Sequence, residues 1–415
     1  MLNQRDSVLS IIVGASILQG ANGLLQALLP LRMQFLGMAS TEIGLVAAAY
    51  GAGFVAGCLF VPRFVRQFGY IRAFASLAAA AGIIVLAFTQ ATGVVSWTLL
   101  RALSGTVLAG LFTVADGWIS AKSHAGNRGQ VLSKYMISTR VALILSPFLV
   151  AAGSIGGDGL FMVVNALLCL SLLPVAFTMG ETPATPNLTA LRLRDLLEAA
   201  PSALVGCFFI GLINGPMAAL APVYGTRIGL RPELAAGLLV ALQIGSAVMQ
   251  WPLGWLSDRI DRRLVLAGIA AGTAAVSLLM AGLPDTPAPA LVYAGFLAWG
   301  GLAFCGYAIC VAHASDVVPP ERIVPTVSGL LVAWAAGAML GPVPGAAALD
   351  HAGPGGFFLY LALVAAGLGL FVLHRILRLR RLPAPGGFSD VPASSPATAA
   401  MVPQAPARND ATTGG

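Results

Sequence analysis

The chain has 415 residues, 23 basic and 16 acidic, with 58% apolar residues and a mean hydropathy of +0.87. Charged residues make up 9%, against about 25% in an average soluble domain, which excludes a soluble globular fold and implies a polytopic membrane protein. The net charge of +7 calls for no nucleic-acid partner, since its distribution is explained by membrane topology.

A bilayer core about 30 Å thick takes about 20 apolar residues per helical crossing. Between its polar breaks the sequence offers twelve: 7–30, 42–64, 70–90, 94–119, 130–153, 158–179, 198–224, 233–256, 263–283, 289–312, 322–347 and 355–377. With a cytoplasmic N-terminus, eighteen Lys and Arg fall in inside segments and three, Arg32, Arg227 and Arg231, fall outside. That asymmetry predicts both termini in the cytoplasm. The first crossing is long and lacks a small-residue cleavage pattern, so it is expected to be retained. The five cysteines are scattered and imply neither a disulfide framework nor a zinc site, and no cofactor is expected.

In the first crossing Gln19, Asn22 and Gln26 are spaced three and four apart and share one helix face. A polar stripe of this length points to a cavity wall, with interhelical hydrogen bonding as the plainer alternative. The fourth crossing carries Arg101 and Asp116, about 22 Å apart along one helix and so unable to pair with each other. Arg101, about 12 Å from its helix midpoint, either lines a cavity or snorkels to the headgroups. Asp116 is the one acid placed well inside a crossing, and it needs a proton or a cationic partner. Arg140 lies about 3 Å from the midpoint of the fifth crossing, too deep for headgroups, which implies a partner or a wet cavity. It sits about 9 Å deeper than Asp116 in antiparallel register, nearly within reach. Asn214, Gln243, Trp299, Tyr307 and Trp334 complete the expected substrate-binding set, and Pro216 after Asn214-Gly215 marks an expected helix break, either a hinge or a tolerated kink.

A shift of 192 residues lays Asn22 over Asn214, Gly23 over Gly215, Pro30 over Pro222, Gly37 over Gly229 and Gly53 over Gly245. One register held across two crossings implies parallel six-helix halves, with a binding site between them near mid-membrane. The expected fold is therefore all-α, twelve transmembrane helices in two pseudo-symmetric bundles spanning residues 1–180 and 198–380. A polar linker, 181–197, joins the halves. A tail rich in Pro, Ala, Ser and Thr, 381–415, cannot bury a core and is expected to be disordered.

"GWLSDRIDRR" from Gly254 to Arg263 resembles the loop signature of the major facilitator superfamily, Gly-x-Leu-x-Asp-Arg-x-Gly-Arg-Arg, with Asp261 standing where that family has glycine. The first-half copy, "PRFVRQFGYIR", keeps Gly69 and Arg72 and has Arg66 in place of the acid. Arg101 followed by Gly105 is similar to the family's fourth-helix motif. "GAMLGPVPG" from Gly337 is similar to a pattern that drug/proton antiporters carry in helix five, although here it lies in helix eleven. "NRGQVLSKYM" and "QWPLGWLSD" look closest to the YcaD-like branch. The resemblance implies the twelve-helix facilitator fold. It also implies a conformational latch in which Asp258 touches helix eleven, with Arg259, Arg262, Arg263, Gly69 and Arg72 as its companions. The plainer alternative is an ordinary turn whose charges only obey the inside rule.

Arg101 and Arg140 make the expected cavity electropositive and favour an anionic or strongly polar solute. Asp116 is the candidate proton carrier. The expected function is secondary active transport of a small solute by alternating access, by a monomer; with no ATP-binding domain expected, the energy comes from a proton or ion gradient or from none. The alternatives are a drug/proton antiporter using Tyr50, Trp299, Tyr307 and Trp334, and a membrane sensor or scaffold that does not transport. The sequence carries no His-Glu-x-x-His, no phosphate-cradling Gly-Lys loop and no clustered nucleophile and base, which argues against an enzyme.

Overall fold

The computed structural model describes residues 4–122, 128–176, 196–197, 200–284, 286–319 and 322–378. The tail and all of the linker except Leu196 and Leu197 lie outside the described residues. The first half consists of α1 (Gln4–Phe35), α2 (Ser40–Phe68), α3 (Tyr70–Gln90), α4 (Val94–Lys122), α5 (Arg128–Leu145) and α6 (Gly159–Ala176). The second consists of α7 (Pro201–Arg227), α8 (Pro232–Ser257), α9 (Arg262–Ala281), α10 (Pro289–Ala303), α11 (Gly306–Val317), α12 (Ile323–Leu340) and α13 (Pro342–Arg378).

Among the described residues ten helical stretches are long and apolar enough to cross a membrane, and α6 is a shorter apolar helix. The tenth crossing is α10 and α11 together, Pro289–Val317. The last stretch, Pro325–Arg378, has 54 residues, about 81 Å at 1.5 Å per residue and more than twice a bilayer core. Its backbone leaves helical geometry at Gly353, where φ is 68°. Read as two crossings divided there, it brings the total to twelve. Large apolar side chains such as Ile83, Phe60, Trp251 and Leu370 face outward and exposed, as lipid-facing residues do.

Packing repeats between the halves. In the first, α2 lies on α4 and α1 on α5; in the second, α8 lies on α10 and α7 on α12. The repeat-matched glycines explain two of these crossings. A Cβ at Gly53 would collide with the carbonyl of Ala102 on α4, and one at Gly245 with the carbonyl of Leu297 on α10. Gly337 and Gly341 in the antiporter-like stretch likewise let α12 close onto Phe208 and Leu212 of α7, so that pattern serves helix contact here.

Two departures are local. At Ser146-Pro147 the fifth crossing tightens into a 3₁₀ segment, Ser146–Ala152. Pro216 does not break its helix: α7 runs unbroken through both Pro216 and Pro222, and the Pro216 ring fills the space beside Gly341 and Gly345. Neighbouring helix and side chains cover the freed backbone, the condition under which a membrane helix tolerates proline.

The apolar core is asymmetric in depth. One cluster runs through the first half and continues into the second along residues such as Ile213, Leu242, Phe296 and Ala346, toward the face opposite the described chain ends. A separate cluster, including Ile210, Leu266, Ile309 and Leu330, stabilises the second half alone toward the face of the chain ends. The halves thus share one apolar cluster toward the first face, while toward the other the second half has a cluster of its own.

Candidate functional site

A cavity of about 360 Å³ lies between the halves, within the range of small-molecule sites. Its walls come from α1, α2, α4 and α5 on one side and from α7, α8, α12 and the α10–α11 junction on the other. The third, sixth, ninth and twelfth crossings contribute no wall residue. Gln19, Asn22 and Gln26 all line it, and within the stripe the Asn22 amide donates to Gln19 at 3.4 Å. Asn214, the repeat partner of Asn22, lines it from the second half, with Gln243, Tyr307 and Trp334.

Both arginines are in the wall. Arg101 does not snorkel: it is 9% exposed, with its guanidinium carbon 4.2 Å from the ring centroid of Tyr50. Arg140 donates from α5 to the Ser246 hydroxyl on α8 at 3.4 Å, across the boundary between the halves. None of the lining residues is Asp, Glu, Lys or His, so the two guanidiniums set the sign of the cavity.

Nine buried side-chain polar atoms among the described residues lack a hydrogen-bond partner, and five belong to residues of this wall: Asn22 Oδ1, Arg101 Nη1, Asn214 Oδ1, Tyr307 OH and Trp334 Nε1. These five atoms are sealed from the open space of the cavity. With six side-chain amides and two guanidiniums drawn from both halves, the wall itself suits a polar occupant.

Trp299 is corrected. It is fully buried inside the second half, where its indole N–H donates to Ser277 on α9 at 2.9 Å, so it packs α10 on α9 and does not line the cavity. Asp116 also stands off the wall. It is fully buried and accepts a hydrogen bond from Tyr135 on α5, while Arg140 turns to Ser246. Residues the sequence reading passed over are Ser246 and Gln250, which with Gln243 repeat on α8 the three-and-four spacing of the α1 stripe.

On the face opposite the chain ends, the halves are tied through polar groups. Asp350 on α13 accepts from the backbone N–H groups of Ser40 at 3.2 Å and Thr41 at 2.8 Å, capping α2. Asp350 also pairs with Arg227 at 2.7 Å, and Arg227 donates to the Ser40 hydroxyl at 3.0 Å. Thr226 of α7 donates to Gln34 of α1 nearby.

The model of the Major Facilitator Superfamily matches residues 11–331 and 238–409. The chain belongs to this superfamily. It is an integral, multi-pass membrane protein. It is 26% identical over 363 residues to the uncharacterized MFS-type transporter YcaD of Escherichia fergusonii, covering 86% of this chain and 93% of that one. An uncharacterized MFS-type transporter of Enterobacter sp. (strain 638) is 26% identical over 373 residues, covering 89% and 95%. Among solved structures, the nucleoside transporter NupG superposes with a TM-score of 0.73 at 14% identity, covering 89% of this chain and 98% of that one. A bacterial homolog of the human lysosomal transporter Spinster, inward-facing and unoccupied, gives 0.75 at 15% identity over 92% and 99%.

The superfamily's loop signature takes a specific form here. Arg262, 2% exposed, donates to Asp316 at the end of α11 at 2.6 Å, to Ser257 at 3.0 Å and to Asp258 at 3.3 Å. The bond found for Asp258 among the described residues is thus to Arg262, one turn along the chain, where the resemblance implied the eleventh crossing, α12 here. Arg259 stacks on Trp255 at 3.6 Å. Asp261 has φ −53° and caps α9, accepting from the Arg263 N–H at 2.9 Å and from its guanidinium at 2.7 Å. Its repeat counterpart Gly69 has φ 78°, a left-handed conformation that favours glycine. The backbone at Asp261 makes no such demand, so a capping side chain fits there. Partial burial works to raise the Asp261 carboxyl, but the hydrogen bonds and charge of Arg263 outweigh it and hold it below its ordinary range. In the first half Arg72 is exposed.

Proposed function

We propose that the chain is a secondary active transporter that moves a small polar or anionic solute by alternating access, with both termini cytoplasmic in a bacterial inner membrane. The observation that carries this reading is the cavity at the boundary of the halves, lined from both sides by amides and holding Arg101 and Arg140 with no carboxylate among its lining residues. A scaffold gains nothing from two guanidiniums on such a wall inside the membrane, whereas a carrier uses them to hold its solute. The apolar cluster that the halves share toward one face, with a separate second-half cluster toward the other, supports reading this state as open toward the chain ends. With eighteen basic residues on that side, it is inward-facing.

Asp116 is the proposed proton carrier. Since it lies off the cavity wall, it acts through its hydrogen bond to Tyr135 on α5, the helix that also carries Arg140. A drug/proton antiporter reading draws on Tyr50, Tyr307 and Trp334, which do line the cavity, but the wall has no carboxylate to receive a cationic drug. The test is uptake into proteoliposomes of solutes chosen by thermal-shift screening, with and without an imposed pH gradient. Wild type is expected to accumulate solute uphill, and Asp116→Asn to retain exchange while losing accumulation. Uphill uptake that survives Asp116→Asn removes this residue as carrier, and the absence of any solute flux removes the transporter reading.

A further inference from the structure

We infer that the cavity is shaped for a planar organic monoanion that carries its own N–H or O–H donors, such as a heterocyclic carboxylate. The inference rests on the transporter reading above and deepens it. The wall combines charge and aromatic surface. The first half supplies both positive charges, Arg101 and Arg140, with the rings of Tyr50, Phe54 and Phe112, and the second supplies Tyr307 and Trp334, whose ring centroids are 6.2 Å apart.

The polar residues of the wall specify the occupant further. Arg101, whose guanidinium carbon lies 4.2 Å from the Tyr50 ring centroid, has no carboxylate beside it among the lining residues, and an anionic oxygen matches it. Gln19, Asn22, Gln26, Asn214, Gln243 and Gln250 line the wall, and their side-chain carbonyl oxygens suit a solute that brings donors of its own. Their NH₂ groups donate and suit acceptors on the same solute. A carboxylate on a ring with N–H and C=O groups meets all of these at once, and its flat faces suit the aromatic wall. A primary amine is disfavoured, because no carboxylate lines the cavity and two guanidiniums do. An aliphatic acid satisfies Arg101 but leaves both asparagines and the rings without partners.

The test uses the purified full chain in nanodiscs and a matched probe series read by calorimetry: orotate, uracil, benzoate, hexanoate and 5-aminomethyluracil. Orotate is expected to bind at least tenfold more tightly than uracil or hexanoate, with benzoate between them and the aminomethyl compound weakest. Arg101→Leu should weaken orotate at least tenfold and leave uracil within twofold, which also shows that the variant is folded. Arg101→Lys, which keeps the charge and loses the planar fork, should recover part of the loss. Trp334→Leu should weaken orotate and uracil alike. Binding of the cation equal to or tighter than orotate overturns the inference, as does an Arg101→Leu protein that binds orotate like wild type. A chain that transports some other solute while binding no member of the series also overturns it and leaves the transporter reading standing. A chain that neither binds the series nor transports any solute fails both.

Discussion

Arg140 of α5 and Ser246 of α8 meet at 3.4 Å across the boundary between the two halves, each on the wall of the same cavity. A guanidinium at mid-helix in a membrane protein costs at least about 2.5 kcal/mol on insertion scales. Its position on an inter-half wall gives that cost a use, since a solute held there contacts both moving bodies.

Arg140→Leu is therefore expected to insert as well as wild type, or better, and to lose at least tenfold in transport. Arg140→Lys should recover little, because a compact ammonium does not reproduce a planar fork of donors. Expression level, the size-exclusion profile and proteoliposome uptake together decide the matter. A Leu variant that transports at the wild-type rate removes Arg140 from the site.

The loop facing the chain ends yields an ordered pair of effects. Arg262 is held by Asp316 at 2.6 Å and by Asp258 at 3.3 Å, and Asp258 is the more exposed acid. Asp258→Asn leaves the shorter bond in place and should slow transport modestly without altering solute binding. Asp316→Asn leaves a buried guanidinium with its main partner gone and should cost more, in both transport rate and melting temperature. Transport rates and thermal melts of the two variants test the order, and a reversed order shows that Asp258 acts elsewhere.

At the opposite face, Asp350 caps two backbone N–H groups of α2 and pairs with Arg227. Arg227 is 41% exposed, so the ion pair adds little by itself and the cap is the larger part. Loss of a helix cap costs about 1 kcal/mol. Asp350→Ala should thus raise the population open toward that face roughly fivefold. Labelling rates of a cysteine placed at Gln26 by a membrane-impermeant thiol reagent, added from that face, should rise accordingly. An unchanged rate shows that the tie is not part of the closure.

Asp261 gives a pH signature. Its carboxyl is held below the ordinary carboxylate value in the folded chain, so its cap contributes stability above that ordinary value and loses it as pH falls through the lowered one. Asp261→Asn should melt below wild type at pH 7, by an amount equivalent to about 1 kcal/mol at most. The two melting curves should converge below about pH 4. A gap that persists at low pH means the carboxylate charge is not what holds the start of α9.

The crossings were legible because each carries about 20 apolar residues, and the paired Asn22 and Asn214 were legible because one register joins them. Charge depth singled out Arg140, which lines the cavity. Trp299 was misplaced because a Trp at mid-crossing suits a cavity wall or a packed core equally, and what decides is Ser277 on a different helix. For Pro216 the sequence left a hinge and a tolerated kink open, because proline signals a lost hydrogen bond while its consequence depends on Gly341 and Gly345, which receive its ring. Ser246 had a signal in the three-and-four spacing with Gln243 and Gln250, but a serine stands out less than an amide. The Asp350 cap on α2 joins residues more than three hundred positions apart, and no local pattern reports it.

Rocking of the halves about the cavity is read out by two distances in one protein. Spin labels at Leu36→Cys and Arg231→Cys bracket the face opposite the chain ends, and labels at Gln67→Cys and Arg322→Cys bracket the other; all four positions are exposed. Cys169, the exposed cysteine among the described residues, is replaced by Ser. In nanodiscs the first distance should be short and the second long. Adding Asp350→Ala should lengthen the first and shorten the second in the same molecules. Distances that stay fixed, or that change in the same sense, are incompatible with alternating access around this site.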